Sequence, residues 1–180
     1  MGKILNKSKI YYAAGITRFY IPKGNRTILR NYIKKFRKLW DKRNILIIEG
    51  DKTRLGYRNK LFENSKSIKR IICPSENAFK VYKKIFKYVK KLNIDTDTLI
   101  LISLGPTATV LTYDLIKSGK KNQVIDFGHF DIEYEYFLRK ANRKIKIPYK
   151  YVNEVRGGRI NIMPINDTKY LNQIIHYINK

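Results

Sequence analysis

The run Leu99-Ile100-Leu101-Ile102 constrains this chain more than any other feature. Successive side chains of a strand point to opposite faces, so an all-apolar run must be covered on both sides. That is the situation of a central strand in a parallel sheet with helices packed on each face, and it predicts a strand over Thr98 to Leu104. Shorter β-branched runs predict further strands at Asn44 to Ile48, Lys69 to Cys73, Val124 to Phe127 and Arg159 to Met163. Between them lie stretches of helical period. Thr27 to Trp40 spaces Ile28, Tyr32, Ile33, Phe36 and Trp40 on one face, and Ala78 to Leu92 does the same with Val81, Ile85, Val89 and Leu92. Gly105-Pro106 opens a helix to about Lys117, closed by Gly119; Ile132 to Ala141 and Lys169 to Ile178 complete the set. Strands alternating with helices predict an α/β fold, Rossmann-like, with a mostly parallel sheet and helices on both faces. At 180 residues the whole chain, 1–180, is expected to be one domain.

The formal charge of +25 attracts polyanions from a distance. Its lysines are scattered through nearly every segment and lack the aromatic interleaving of a stacking platform, so composition, not a nucleic-acid interface, is the simpler account. The single cysteine, Cys73, has no internal partner and ends the apolar run Ile71-Ile72, which points to packing in a reducing compartment. The N-terminal MGKILNKSKI is too short in apolar residues for a signal peptide, and no run approaches the roughly 18 apolar residues of a membrane span. A cytoplasmic protein, at most peripheral at the inner membrane face, is expected.

Ligands of open parallel sheets bind beyond the carboxyl ends of the strands, so the loops after the strands hold the candidate site. After the central strand, Gly105, Pro106 and Thr107 form a strand-to-helix turn whose free N–H groups suit a phosphate, although Thr107 as a plain helix cap fits equally. After the first strand, Arg54 and Arg58 are candidates to clamp a diphosphate, and Gly56 lets the backbone approach closely, with Asn59 following. After Val124 to Phe127 comes the densest acidic patch in a chain of 14 acidic against 39 basic residues, holding Asp126, Asp131, Glu133 and Glu135. Two carboxylates one residue apart, Asp131 and Glu133, can hold Mn²⁺ or Mg²⁺ if the backbone between them is extended, or can simply favour a helix N-terminus. His129 stands beside them as a candidate base or a packed residue. The stretch Arg143 to Gly158 is the loosest, a surface loop or a lid.

Joined together, ITRFY (Ile16 to Tyr20), IIEGDKTRLGYRNKLF (Ile47 to Phe62), SIKRIICPSENAFKVY (Ser67 to Tyr82), LISLGPTATVLTYDL (Leu101 to Leu115), IDFGHFDIEYEYF (Ile125 to Phe137) and IPYKYVNEV (Ile147 to Val155) resemble the bacterial GT-D-type glycosyltransferases, first catalogued as a domain of unknown function. The resemblance implies transfer of a hexose, typically glucose, from a UDP-sugar onto a glycan or glycoprotein acceptor. It implies that the Asp-x-Glu motif, Asp131 and Glu133, binds the metal and is critical for activity. The family's loop has glycine where this chain has Arg58 and an acid where it has Lys60. Family members also carry a Gly-Asp-Gly-Glu run ahead of the matched part, so the resemblance leaves a shortened homologue, a fragment, or a protein completed by a partner glycosyltransferase subunit or as a homodimer. The competing readings are a nucleotide-sugar-binding subunit inactive by itself and a basic nucleic-acid-associated protein.

Overall fold

The computed structural model describes Ser8 and residues 15–179; the signal-peptide reading of the first ten residues falls, Ser8 apart, outside them. Five strands, β1 (Asn44–Gly50), β2 (Ser67–Cys73), β3 (Leu99–Ser103), β4 (Val124–Asp126) and β5 (Ile174–Tyr177), form one sheet in the order β4-β3-β1-β2-β5. Every pairing is parallel. The helices are α1 (Arg26–Arg37), α2 (Tyr82–Lys91, entered through a 3₁₀ turn at Ala78–Val81), α3 (Pro106–Lys117), α4 (Phe130–Leu138) and the one-turn α5 (Thr168–Leu171).

The double-sided apolar strands build two cores, as the pleat requires. Leu46, Ile48, Ile71, Ile100 and Ile102 pack against α2 and α3 through Ile85, Val89, Leu111 and Leu115. The alternate residues Ile45, Ile47, Leu99 and Leu101 pack against α1 and α4 through Leu29, Ile33, Phe130 and Phe137. Trp40 is fully buried there and donates its ring N–H to the Leu61 carbonyl at 3.1 Å. Asn25 caps α1, its side chain accepting from the amides of Thr27 and Ile28. Cys73 is buried, and burial together with nearby Glu49 pushes its thiol up to about 12, as packing rather than reactivity demands.

Two elements differ from expectation. Residues 159–163 form no strand. The C-terminal stretch is not one helix but α5 followed by β5, because the β-branched pair Ile174-Ile175 docks on the open edge of β2, where Arg70 pairs with Ile174 and Ile72 with Tyr177. The sheet edge, absent from the local pattern, outweighs the helical spacing of Tyr170, Ile174 and Ile178. The stretch 143–158 is not loose either: Ile147, Tyr149 and Val152 are buried in a third cluster with Tyr57, Tyr136 and Tyr170.

Candidate active site

β1 is the switch point of the sheet. The chain leaves it toward β2 on one side, while β3 lies on the other, so the loops after β1 and β3 diverge at their carboxyl ends, where open parallel sheets place their ligand crevice. The loop after β1 crosses to β2 by turns alone, without a helix. It is shaped from below by Glu49, fully buried, which accepts from the Leu55 amide, the Arg70 guanidinium and the Tyr170 hydroxyl. Arg70 also donates to the Leu55 carbonyl at 2.9 Å and lies over the Tyr170 ring. None of these four residues stood out in the sequence, because a buried ion pair leaves no local pattern.

The sequence-predicted residues divide into two groups. Gly56 and Asn59, both half-buried, converge on the buried Asp131, while Arg54 is buried against main-chain carbonyls. Arg54 is 8% exposed and donates to the carbonyls of Tyr149 (2.9 Å) and Met163 (2.6 Å). It staples the 144–165 segment over the sheet and does not present a fork to a diphosphate. Arg58 is exposed, its guanidinium over the rings of Tyr57 and Tyr149, with φ +56. Gly56, at φ +72, gives its N–H to Asp131 Oδ1 at 3.1 Å, and a Cβ on it would meet the Phe62 ring at 2.5 Å. Asn59 donates to Asp131 Oδ1 at 3.0 Å and Glu135 Oε1 at 2.7 Å.

In this arrangement Asp131 and Glu133 do not converge on one ion. The helix α4 begins at Phe130, two residues ahead of the expected start, so Asp131 and Glu133 sit in its first turn and the extended backbone that would bring both oxygens to one ion is absent. A helix brings i and i+4 together instead, here Asp131 and Glu135. Between them lies the ammonium of Lys150, fully buried, at 2.6 Å from Asp131 Oδ2 and 2.9 Å from Glu135 Oε1. Both Asp131 oxygens are thus engaged, and a protein cation occupies the place a metal would need. Burial pushes the Glu135 carboxyl up, but Lys150, Asn59 and Tyr149 prevail and hold it below the ordinary value. Lys150 was hidden in the sequence as one basic residue among 39.

Glu133 faces another way. Its Oε2 accepts the Tyr20 amide at 2.9 Å, and burial raises its carboxyl above the ordinary value against the pull of that bond and of Arg18. The Ile16 to Tyr20 segment therefore forms one wall of the edge. Thr17 packs on Gly128, where φ is +51, Arg18 pairs with Glu154, and His129 Nε2 stands 3.3 Å from both Arg18 Nη2 and Asn153 Oδ1.

The second group faces the crevice. Gly105 (φ +56, ψ −143) starts α3 with no side-chain cap, and nothing lies within 4 Å of where its Cβ would be. Gly105 and Pro106 are exposed, whereas Thr107 is buried. Next to this turn, across β3 and β4, Asp126 accepts from Thr109 Oγ1 at 2.7 Å and the Gly128 amide at 3.1 Å. An uncapped helix start beside an open glycine, over the middle of a parallel sheet, can receive an anion through main-chain N–H groups.

The family model described as Glycosyltransferase GT-D fold matches residues 1–155. This chain belongs to that family. It is 42% identical over 165 residues to the probable glycosyl transferase Gly of Streptococcus gordonii, across 92% of this chain and 24% of that protein. Against glycosyltransferase GlyD of Streptococcus pneumoniae serotype 4 it is 37% identical, across 92% of this chain and 20% of that protein. A solved glycosyltransferase from Streptococcus sanguinis superposes with a TM-score of 0.83 at 38% identity, over 92% of this GT-D chain and 60% of that one. A second structure, described as a distinct glycosyltransferase fold, superposes equally well at 36% identity, over 92% of this chain and 58% of that one. The GT-D chain spans a quarter or less of the curated relatives it matches. Among its described residues no helix is long and apolar enough to cross a membrane.

Proposed function

We propose that this GT-D chain transfers a hexose, glucose, from a UDP-sugar onto a glycan or glycoprotein acceptor, at the carboxyl edge of β1, β3 and β4. The observation that carries the reading is the uncapped start of α3 at Gly105, open to solvent beside the switch point of the sheet. The donor's diphosphate lies against the open Gly105 turn and the Thr107 N–H, since Pro106 carries no N–H and that of Ala108 is bonded to the Gly105 carbonyl, with the α3 dipole offsetting its charge. The acceptor hydroxyl attacks the anomeric carbon, the bond from that carbon to the diphosphate oxygen breaks, and UDP departs. His129, at the same edge beside Arg18 and Asn153, takes the hydroxyl proton.

The Mn²⁺ or Mg²⁺ expected from the Asp-x-Glu motif would supply charge stabilisation of the leaving diphosphate. Asp131 does not fit that role while Lys150 holds it, so no step is assigned to a metal there.

Pro106→Glu tests the diphosphate position. An acidic residue in the first turn is compatible with the helix and its dipole, but its carboxylate repels a diphosphate at the same turn. UDP affinity, measured by calorimetry, is expected to fall at least about tenfold with the melting temperature unchanged. Unaltered UDP affinity in the folded variant would remove this turn from the site. A hydrolysis screen across UDP-sugars then identifies the donor, and activity confined to another nucleotide would overturn the UDP assignment.

A further inference from the structure

Away from the carboxyl-edge site, a groove of about 620 Å³ runs between α2 and the edge strand β5. Lys84, Lys87, Tyr88 and Lys91 line it from the helix, His176 and Tyr177 from the strand, and no aspartate or glutamate lies along it. Its floor is packed: the Tyr88 and His176 rings stack at 4.0 Å and 9°, and Ile178 is buried in the core beneath. The strand beside it is, among the described residues, the outermost of the sheet, bonded to β2 on one side, and carries Ile175 at 41% and Tyr177 at 55% exposure.

We propose that this groove receives an extended, acidic polypeptide segment of a partner protein, added to β5 as a sixth strand with its carboxylates on the lysine row of α2. An outermost strand leaves a row of N–H and C=O groups unpaired, and a polypeptide backbone satisfies them where a lipid surface does not. The site is a concave channel, which a flat bilayer does not enter. Lys84, Lys87 and Lys91 fall on one helical flank over about 10 Å, comparable to the roughly 7–13 Å covered by two or three alternate side chains of a strand. Three cations with no acid among the lining residues select a negative partner, and they oppose pairing with a second copy, which would set the same lysines against each other. The exposed Ile175 and Tyr177, which alternate with His176 and Ile178 along the edge, meet the alternate, uncharged residues of the segment.

The test uses a fluorescent peptide of about eight residues alternating Val and Glu, a Val-Lys counterpart, and a Val-Glu analogue N-methylated throughout, which keeps the carboxylates and removes the main-chain donors. Fluorescence anisotropy is expected to show saturable binding of the Val-Glu peptide alone, weakened at least about tenfold by N-methylation. The triple variant Lys84→Glu, Lys87→Glu, Lys91→Glu, whose changes are all on exposed positions, is expected to lose the Val-Glu peptide by at least about tenfold and to gain affinity for Val-Lys. UDP affinity measured on the same variant stays at the parental level, which separates failure of this groove from failure of the transferase assignment. Equal binding of the N-methylated analogue would mean charge attraction without strand addition. Undiminished binding by the triple variant would place the peptide elsewhere on the basic surface, and absence of saturable binding would leave the lysines as plain protection of the sheet edge. Binding of phosphatidylglycerol vesicles, lost in the triple variant, without peptide binding would assign the face to a membrane. Any of these four results overturns the proposal.

Discussion

The residue that reorganises the site is Lys150. A fully buried ammonium between two buried carboxylates is costly to disturb, because removing one partner leaves the others desolvated and incompletely paired. Asp131→Ala is therefore expected to destabilise the fold by about 3–5 kcal/mol, measured by urea unfolding. Glu135→Ala, mild if the motif were only Asp131 and Glu133, is expected to cost a similar amount, since Glu135 is 2% exposed and bonded to Asn59, Lys150 and Tyr149. An Asp131→Ala protein of parental stability that has lost only metal-dependent donor binding would return Asp131 to the metal. The same cluster sets an acid limit. Because Glu135 is held below its ordinary value of 4.5, its ionised form stabilises the fold above that pH, and the contribution is lost as pH falls through the lowered folded value. Glu133, raised by burial, acts in the opposite sense and favours the fold as it protonates. Melting curves from neutral pH down to about 3 are expected to fall less steeply below 4.5 in Glu135→Gln than in the parent.

Among the elements, the segment after α4 shows how a stretch that reads as a lid becomes part of the wall. Its backbone is tied at several points: Tyr151 donates to the Lys52 carbonyl, Met163 to Pro148, and Arg54 reaches the carbonyls of both Tyr149 and Met163. Arg54→Met keeps the apolar stem of the side chain and deletes these donors, leaving two carbonyls short of partners at a cost of about 1–3 kcal/mol. Hydrogen exchange is expected to rise across residues 147–163 while the amides of β1 and β3 stay protected. Loss of UDP binding in that variant with unchanged exchange would instead make Arg54 a ligand residue. The helical prediction that swallowed β5 failed for a reason at this same scale, since four residues of strand are decided by whether a neighbouring edge is free to receive them.

For the whole molecule, the +25 charge and the crevice respond differently to salt. Self-repulsion of a strongly basic chain is screened as ionic strength rises, so the melting temperature is expected to increase between about 0.05 and 0.5 M NaCl. Affinity for RNA or heparin is expected to collapse over that range, whereas UDP, which we propose lies at the start of α3, is expected to lose far less. UDP binding that falls as steeply as heparin binding would reduce the crevice to one more patch of a basic surface.

The sequence by itself determined the layers of this protein. Leu99 to Ile102 required cover on both faces, the spacing of Val81, Ile85 and Val89 supplied one covering helix, and Gly105-Pro106 marked the turn above the central strand. These are local or periodic signals, carried by side chains within a few residues of each other. Tertiary structure alone decided the polar interior. Glu49 meets Arg70 across 21 residues and Tyr170 across 121, and Asp131 meets Gly56 across 75. An ammonium or carboxylate enters a core only where distant partners converge to offset its desolvation, and that convergence exists only in the folded chain.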